Sequence, residues 1–168
     1  KKSAFLFNLD LARKHIKDTL YLCEGYMDVI ALHNSGFENS VASLGTALTA
    51  LHVKLIGRYT KKVILTYDSD GAGINAAKRA IPLLKEENIN VKVLSMAPYK
   101  DPDEFIKNLG SEEFQKRIDN ADNAFLWEIE VLKKDYNLNE PDERTSFYKE
   151  VARMLSLFSE KLERENYT

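Results

Sequence analysis

Residues 63–73 read Val-Ile-Leu-Thr-Tyr-Asp-Ser-Asp-Gly-Ala-Gly, and this stretch constrains the fold more than any other. Val63, Ile64 and Leu65 form an apolar run of the kind required by a strand covered on both faces. The run stops at two carboxylates one residue apart, Asp68 and Asp70, followed by Gly71 and Gly73. Apolar residues then recur at Ile74, Ala77, Ile81 and Leu84, which is helical spacing. The pattern is a strand, a tight acidic turn and a helix. In open α/β sheets such turns lie at the carboxyl ends of the strands, where ligands bind.

The flanking sequence repeats this alternation. Thr19 to Cys23 is a β-prone run that delivers Glu24 at its end, and Gly25 breaks it. Tyr26 to Asn34 reads as a helix with Asp28 in its first turn, stopped by Gly36. Val41 to Leu44 is a second short strand. Thr49 caps a helix whose expected apolar face is Leu48, Leu51, Leu55 and Tyr59. Val91, Val93 and Leu94 make a fourth strand, followed by a loop from Pro98 to Asp103 and a short helix from Glu104 to Leu109. At the start, Phe5, Leu9, Ala12 and Ile16 predict a short helix capped by Asn8. Beyond Gly110 the stepping of Phe125, Ile129, Leu132 and Tyr136, and of Phe147, Val151, Met154 and Phe158, is helical throughout. The expectation is an α/β domain over residues 1–110, with a four-stranded parallel sheet flanked by helices. A small all-helical subdomain over residues 111–168 follows, truncated at its C-terminus. The chain reads as an excised piece of a longer protein.

Acids close three of the four strands: Glu24 the first, Asp68 and Asp70 the third, Asp101 and Asp103 the loop beyond the fourth. Asp28 lies one helical turn past Glu24. If the strand without an acid lies outside the first, the order is 2-1-3-4 and six carboxylates share one rim, with the topological switch between Glu24 and Asp68. Two carboxylates about 4 Å apart repel by roughly 4 kcal/mol at an effective dielectric near 20. Protons or divalent cations must relieve such crowding. All-oxygen donors favour Mg²⁺, Mn²⁺ or Ca²⁺ over zinc, and two or more such ions would suit phosphoryl or nucleotidyl transfer. Taken alone, Asp101-Pro102-Asp103 also suits a plain turn. Lys78, Arg79 and Lys100 are near enough in sequence to meet phosphates. His15, His33 and His52 read as surface or half-buried structural residues on three helices, and Cys23 as an inert core thiol.

Composition narrows the function classes. The 168 residues are 44% hydrophobic and 30% charged, enough for a real core. The net charge of -2 gives no overall basic field, so contact with a polyanion has to be local or through a metal. One cysteine excludes an internal disulfide and offers no structural zinc cluster. No apolar run approaches the ~20 residues of a membrane span, and no membrane partner is expected.

Four blocks resemble the DnaG-type bacterial primase version of the Toprim domain, in the family's order. They are Glu24-Gly-Tyr-Met-Asp28-Val-Ile, Ser43-Leu-Gly-Thr-Ala-Leu-Thr49, Tyr67-Asp-Ser-Asp-Gly-Ala-Gly73 and Lys100-Asp-Pro-Asp-Glu-Phe-Ile106. The resemblance implies RNA primer synthesis by a DNA-directed RNA polymerase, a nucleotidyltransferase using Mg²⁺ or Mn²⁺. It implies a catalytic role for Glu24 with Asp68 and Asp70, and metal contact for Glu24, Asp28, Asp68, Asp70, Asp101 and Asp103. It implies partners for the full-length protein: single-stranded DNA template, ribonucleoside triphosphates and, through a domain not in this chain, the replicative helicase, in the bacterial cytoplasm at the replication fork. Because the family's zinc-binding and basic subdomains are outside these residues, the isolated stretch is expected to bind metal but to be inactive or weakly active.

Two other readings stay open. One is a Toprim nuclease or topoisomerase fragment. The other is a phosphohydrolase of the haloacid dehalogenase type, whose nucleophile loop Asp68-Ser-Asp-Gly71 mimics, although Ala72 stands where a threonine is expected and Glu24 has no task. Beside these two enzymatic readings stands an interaction module whose acids bind a regulatory cation.

Overall fold

The structure is a computed structural model describing residues 5–43 and 45–167. Leu44, expected as the end of the second strand and part of the Ser43–Thr49 block, lies outside the described residues. The chain forms two compact units, Lys1–Ala124 and Phe125–Thr168.

In the first unit, β1 (Leu6–Phe7) and α1 (Leu9–Ala12) lead into β2 (Thr19–Cys23), α2 (Tyr26–Asn34), β3 (Ser40–Ser43), α3 (Ala50–Ile56), β4 (Lys62–Leu65), α4 (Gly71–Glu86), β5 (Asn90–Val93), α5 (Pro102–Asp119) and β6 (Asp122–Asn123). The sheet order is β1-β3-β2-β4-β5-β6. The four inner strands are parallel, in register Leu22↔Val41, Leu22↔Leu65 and Leu65↔Val93. This is the order expected from the acidic strand ends. The sheet is nevertheless mixed and six-stranded, because β1 pairs antiparallel with β3 and β6 antiparallel with β5. Those edge strands are two residues long, too short to show any periodicity.

Strand alternation sends side chains to two buried faces. One carries Tyr21, Cys23 and Ile64, packed with Val29 and Leu32 of α2 and with Phe105, Phe114 and Ile118 of α5. Phe37 and Phe105 each meet Phe114 edge to face, at 4.9 and 5.7 Å between ring centres. Leu20, Leu22, Val63 and Leu65 line the other face, fully buried. The buried stripes of α3 (Val53, Ile56) and α4 (Ala77, Ala80, Ile81, Leu84) belong to the helices left to cover it.

Several expectations are corrected. The opening helix is only four residues long, because Asn8 adopts φ 68° and sends its side-chain amide to the Ser40 carbonyl (3.0 Å) instead of capping. The buried face of α3 is His52, Val53 and Ile56, and Leu51 is 56% exposed. His52 is therefore core and not half-buried. The Thr49 hydroxyl accepts from its backbone N–H, and its Nδ1 accepts from the Thr49 N–H (both 3.2 Å), so a polar ring enters the core with its polarity answered. His15 lies in the turn after α1, where Nδ1 sits 2.6 Å from Glu38. The helix after the fourth strand begins at Pro102, so Asp103 stands in its first turn and not in the preceding loop. Gly110, at φ 80° and ψ 178°, breaks this element into the two helical pieces the sequence implies.

The second unit consists of the rest of α6 (Ala124–Lys133), α7 (Pro141–Ser156) and α8 (Lys161–Glu165). Pro141 occupies the first turn of α7. Phe125, Phe158 and Tyr167 cluster with ring centres 4.7–5.5 Å apart, and Tyr136 meets Phe147 at 5.8 Å. Among the described residues no helix is long and apolar enough to cross a membrane.

Replacing Phe114, which is fully buried between two other rings, should cost about 3–5 kcal/mol as Phe114→Ala, read by urea unfolding. Leu157→Ala, at a side chain 73% exposed, should stay within about 0.5 kcal/mol.

Candidate acidic site at the carboxyl rim of the sheet

β2 and β4 are neighbours, so the residues following them emerge side by side. Their pairing runs past the assigned strands: Thr66 donates its N–H to the Leu22 carbonyl (2.9 Å), and its buried hydroxyl reaches the same carbonyl and the Cys23 sulfur. Two residues further, the Asp68 N–H donates to Glu24 Oε1 at 2.9 Å. The carboxylate from one strand end is thereby fixed to the acidic turn of the next.

Gly73 is required there. A Cβ on it would lie 2.1 Å from the Asp68 carbonyl oxygen and 2.7 Å from Glu24 Oε1. Only a hydrogen lets the first turn of α4 sit against that junction. Asp70 caps α4, accepting from the Gly73 N–H at 2.8 Å. Asp101 caps α5 in the same way, accepting from the Glu104 N–H at 2.8 Å. The two loops are stitched together by the Ser69 N–H donating to the Lys100 carbonyl (2.8 Å) and by Lys100 Nζ at 3.7 Å from Asp68 Oδ2. Asp28 accepts from the Gly25 N–H (3.3 Å) and from the backbone N–H of Asp103.

Electrostatics confirm the proximity. Burial pushes Asp28 up to about 7, helped by the charges of Asp101 and Asp68. Burial also raises Glu24, with the Asp68 N–H pulling it back and Asp68 and Asp70 adding repulsion. Asp68 is raised by burial, opposed by Lys100 and reinforced by Asp101 and Asp70. Glu24, Asp28, Asp68, Asp70 and Asp101 therefore share one neighbourhood. Asp103 brings its backbone to it, while its carboxylate pairs with Lys107 Nζ at 2.5 Å.

Among the described residues no three acids, imidazoles or thiols close into a ready-made ligand cluster. The donor chemistry still fits a hard cation. The donors are all oxygen, Lys100 relieves part of the repulsion at Asp68, and Mg²⁺ keeps several waters and needs only one or two carboxylates plus substrate phosphates.

Beside Glu24 a groove of about 440 Å³ opens, lined also by Ser43, Gly45, Thr46, Tyr67, Ala76 and Arg79. Arg79 thus joins the site; Lys78 is exposed and does not line the groove. Lys100 reaches Asp68 and does not line the groove. Tyr67 carried no role in the sequence reading. It is buried at the wall of the groove, and burial and the nearby Glu24 push its phenol further up. The signal was its position, one residue before Asp68 and past the strand that hydropathy marks.

A Toprim-like family profile matches residues 21–106. The DNA primases of Clostridium acetobutylicum and Enterococcus faecalis are 38% and 36% identical, over 92% and 99% of this chain. The chain spans only about a quarter of their length, 26% and 27%. Among solved structures, the Aquifex aeolicus primase (zinc-binding and RNA polymerase domains) superposes with a TM-score of 0.78 at 37% identity, over 99% of this chain and 40% of that one. A DnaG primase catalytic domain bound to single-stranded DNA gives 0.79 at 30% identity, over 99% of this chain and 54% of that one.

Gly73→Ala should cost roughly 1–3 kcal/mol in urea unfolding, because backbone must move to admit the methyl group. Gly71→Ala, whose Cβ meets nothing, should not destabilise. In EDTA, stability should fall as pH rises from about 4 to about 7 and then level. The folded protein holds a proton on Asp28 that the unfolded chain has already released. Urea midpoints across that range should flatten in Asp28→Asn.

Proposed function

Because the chain belongs to the Toprim-like family, we propose that it is the metal-dependent catalytic subdomain of a bacterial DNA primase, a DNA-directed RNA polymerase that makes RNA primers. The observation that carries this reading is the 2.9 Å lock between Glu24 and the Asp68 N–H, with Asp70, Asp28 and Asp101 around it. The named relatives and the solved catalytic domains, all primases, support it. A phosphohydrolase of the haloacid dehalogenase type would leave Glu24 idle, whereas here Glu24 is built into the acidic turn.

In this reading Asp68, Asp70 and Asp101 would hold Mg²⁺ or Mn²⁺, and Asp28, whose carboxyl burial raises to about 7, would adjoin the ion in its deprotonated form. Bound there, the ion would lower the pKa of an attacking hydroxyl and neutralise charge on a triphosphate. Asp70 and Asp101 each spend one oxygen on a helix cap, so the other oxygen is held in a fixed direction. Glu24, raised chiefly by burial, would take the proton from the 3′-hydroxyl as it attacks the α-phosphate and pyrophosphate leaves. Lys100 and Arg79 flank the junction and are suited to triphosphate oxygens. The template is single-stranded DNA, as for the DnaG domain solved with it. Ribonucleoside triphosphates and a replicative helicase are the further partners, in the cytoplasm. The chain spans about a quarter of the length of these primases, and by itself it is expected to synthesise primers weakly or not at all.

Calorimetry on the 168 residues should show saturable Mn²⁺ binding, weakened at least tenfold in Asp68→Asn, while primer synthesis stays undetectable. In a polymerase core containing this chain, Glu24→Gln should slow template-directed RNA synthesis by about 10²-fold or more, with template binding within twofold. Undiminished synthesis in that variant would refute the assignment.

A further inference from the structure

The opposite rim of the sheet carries a second feature. At the amino ends of β2 and β4 a cleft of about 430 Å³ is lined by Lys17, Asp18, Arg58, Tyr59, Lys61 and Lys62. Four cations face one acid there, in a chain whose net charge is -2. We propose that this cleft binds the phosphate backbone of single-stranded nucleic acid, with Tyr59 offering a stacking surface for a base. The proposal is independent of the metal chemistry above and relies on the primase reading only for the kind of strand.

The walls of the cleft are fixed. Thr60 is buried, and its hydroxyl donates to the Asp18 carbonyl and accepts from the Lys62 N–H (2.9 Å), tying the entry of β2 to the entry of β4. The Asn90 N–H donates to the Lys61 carbonyl (2.8 Å), tying in β5. Gly57, Arg58 and Tyr59 donate their N–H groups back to Val53, Leu55 and Ile56, so the wall carrying Arg58 and Tyr59 is a continuation of α3. The scaffold is therefore ordered before any ligand arrives, which lowers the entropy lost on binding.

The charges on it are unevenly used. Lys62 pairs with Asp18 at 3.1 Å, and Lys61 donates to the Glu87 carbonyl at 3.0 Å. Lys17 and Arg58 are exposed and have no ion-pair partner among the described residues. Two unneutralised cations on a rigid rim, beside a tyrosine 38% exposed, match the combination of basic groove and aromatic platform that binds single strands without reading their sequence. At about 3.3 Å per residue, strands of four or five residues put this cleft roughly 15–20 Å from the acidic rim. A strand seated here is thus outside the reaction centre, and the contact is one of grip.

The test is fluorescence anisotropy of a labelled 16-nucleotide oligothymidylate with the full 168-residue chain in EDTA, which removes metal-bridged contacts at the other rim. Lys17→Glu with Arg58→Glu should weaken binding at least tenfold and lower the log–log salt slope by about 1.4, the share of two single-strand phosphates. Tyr59→Ala should weaken binding by about tenfold. Lys134→Glu with Lys149→Glu makes the same charge change at two exposed sites far along the chain and should alter affinity less than twofold. Far-UV circular dichroism of each variant checks that it is folded. Equal losses in both double variants, or no saturable binding by the parent chain, would overturn the proposal. So would full displacement of the oligonucleotide by ATP at equal phosphate concentration, which would make the cleft a mononucleotide site.

Discussion

The Asp68 N–H that donates to Glu24 carries more than one hydrogen bond usually does. It joins the ends of two adjacent parallel strands at the point where the chain reverses its direction of travel across the sheet, since β3 lies to one side of β2 and β4 to the other. The contact exists only because the first turn of α4 carries Gly73, where any side chain would strike both partners. Ser69 and Lys100 extend the junction to the loop after β5. Strand order, the missing Cβ at residue 73 and the acidic turn are thus one arrangement.

The acids serve structure and chemistry together. Asp70 and Asp101 end the orphan donors of α4 and α5, and Asp28 takes up N–H groups from Gly25 and Asp103. Each is anchored by backbone, so none can relax away from the others. Burial and mutual repulsion then raise Glu24, Asp28 and Asp68 together. That accumulated repulsion is a standing attraction for any small cation of high charge.

Much of this was legible in the residues. Four short apolar runs gave the inner strands, the acids closing three of them gave their order, and the glycine after Asp70 marked the turn. α2 runs over the residues that its spacing indicated, Tyr26–Asn34. Where reading failed, the cause was local. The buried side of α3 was misplaced because His52 is core, its polarity cancelled by Thr49, which hydropathy cannot register. Asn8 looked like a cap and instead bridges to Ser40 in three dimensions. At the site, Glu24, Asp28, Asp68, Asp70 and Asp101 gather on one rim, whereas the carboxylate of Asp103 is taken by Lys107, a pairing one helical turn long that the loop assignment hid. Tyr67 went unnoticed because a groove is a property of neighbours, and no pattern along one strand reports it.

The antiparallel outer strands have a consequence of another kind. A parallel sheet cut off at β3 and β5 would show rows of unpaired amides and carbonyls to any other chain that met it. β1 and β6, two residues each, occupy those rows and run the opposite way. Strands so short offer little template for further addition. An interior rich in branched and aromatic side chains is in this way closed to self-association along its flanks, which leaves the rims, not the edges, as the surfaces open to other molecules.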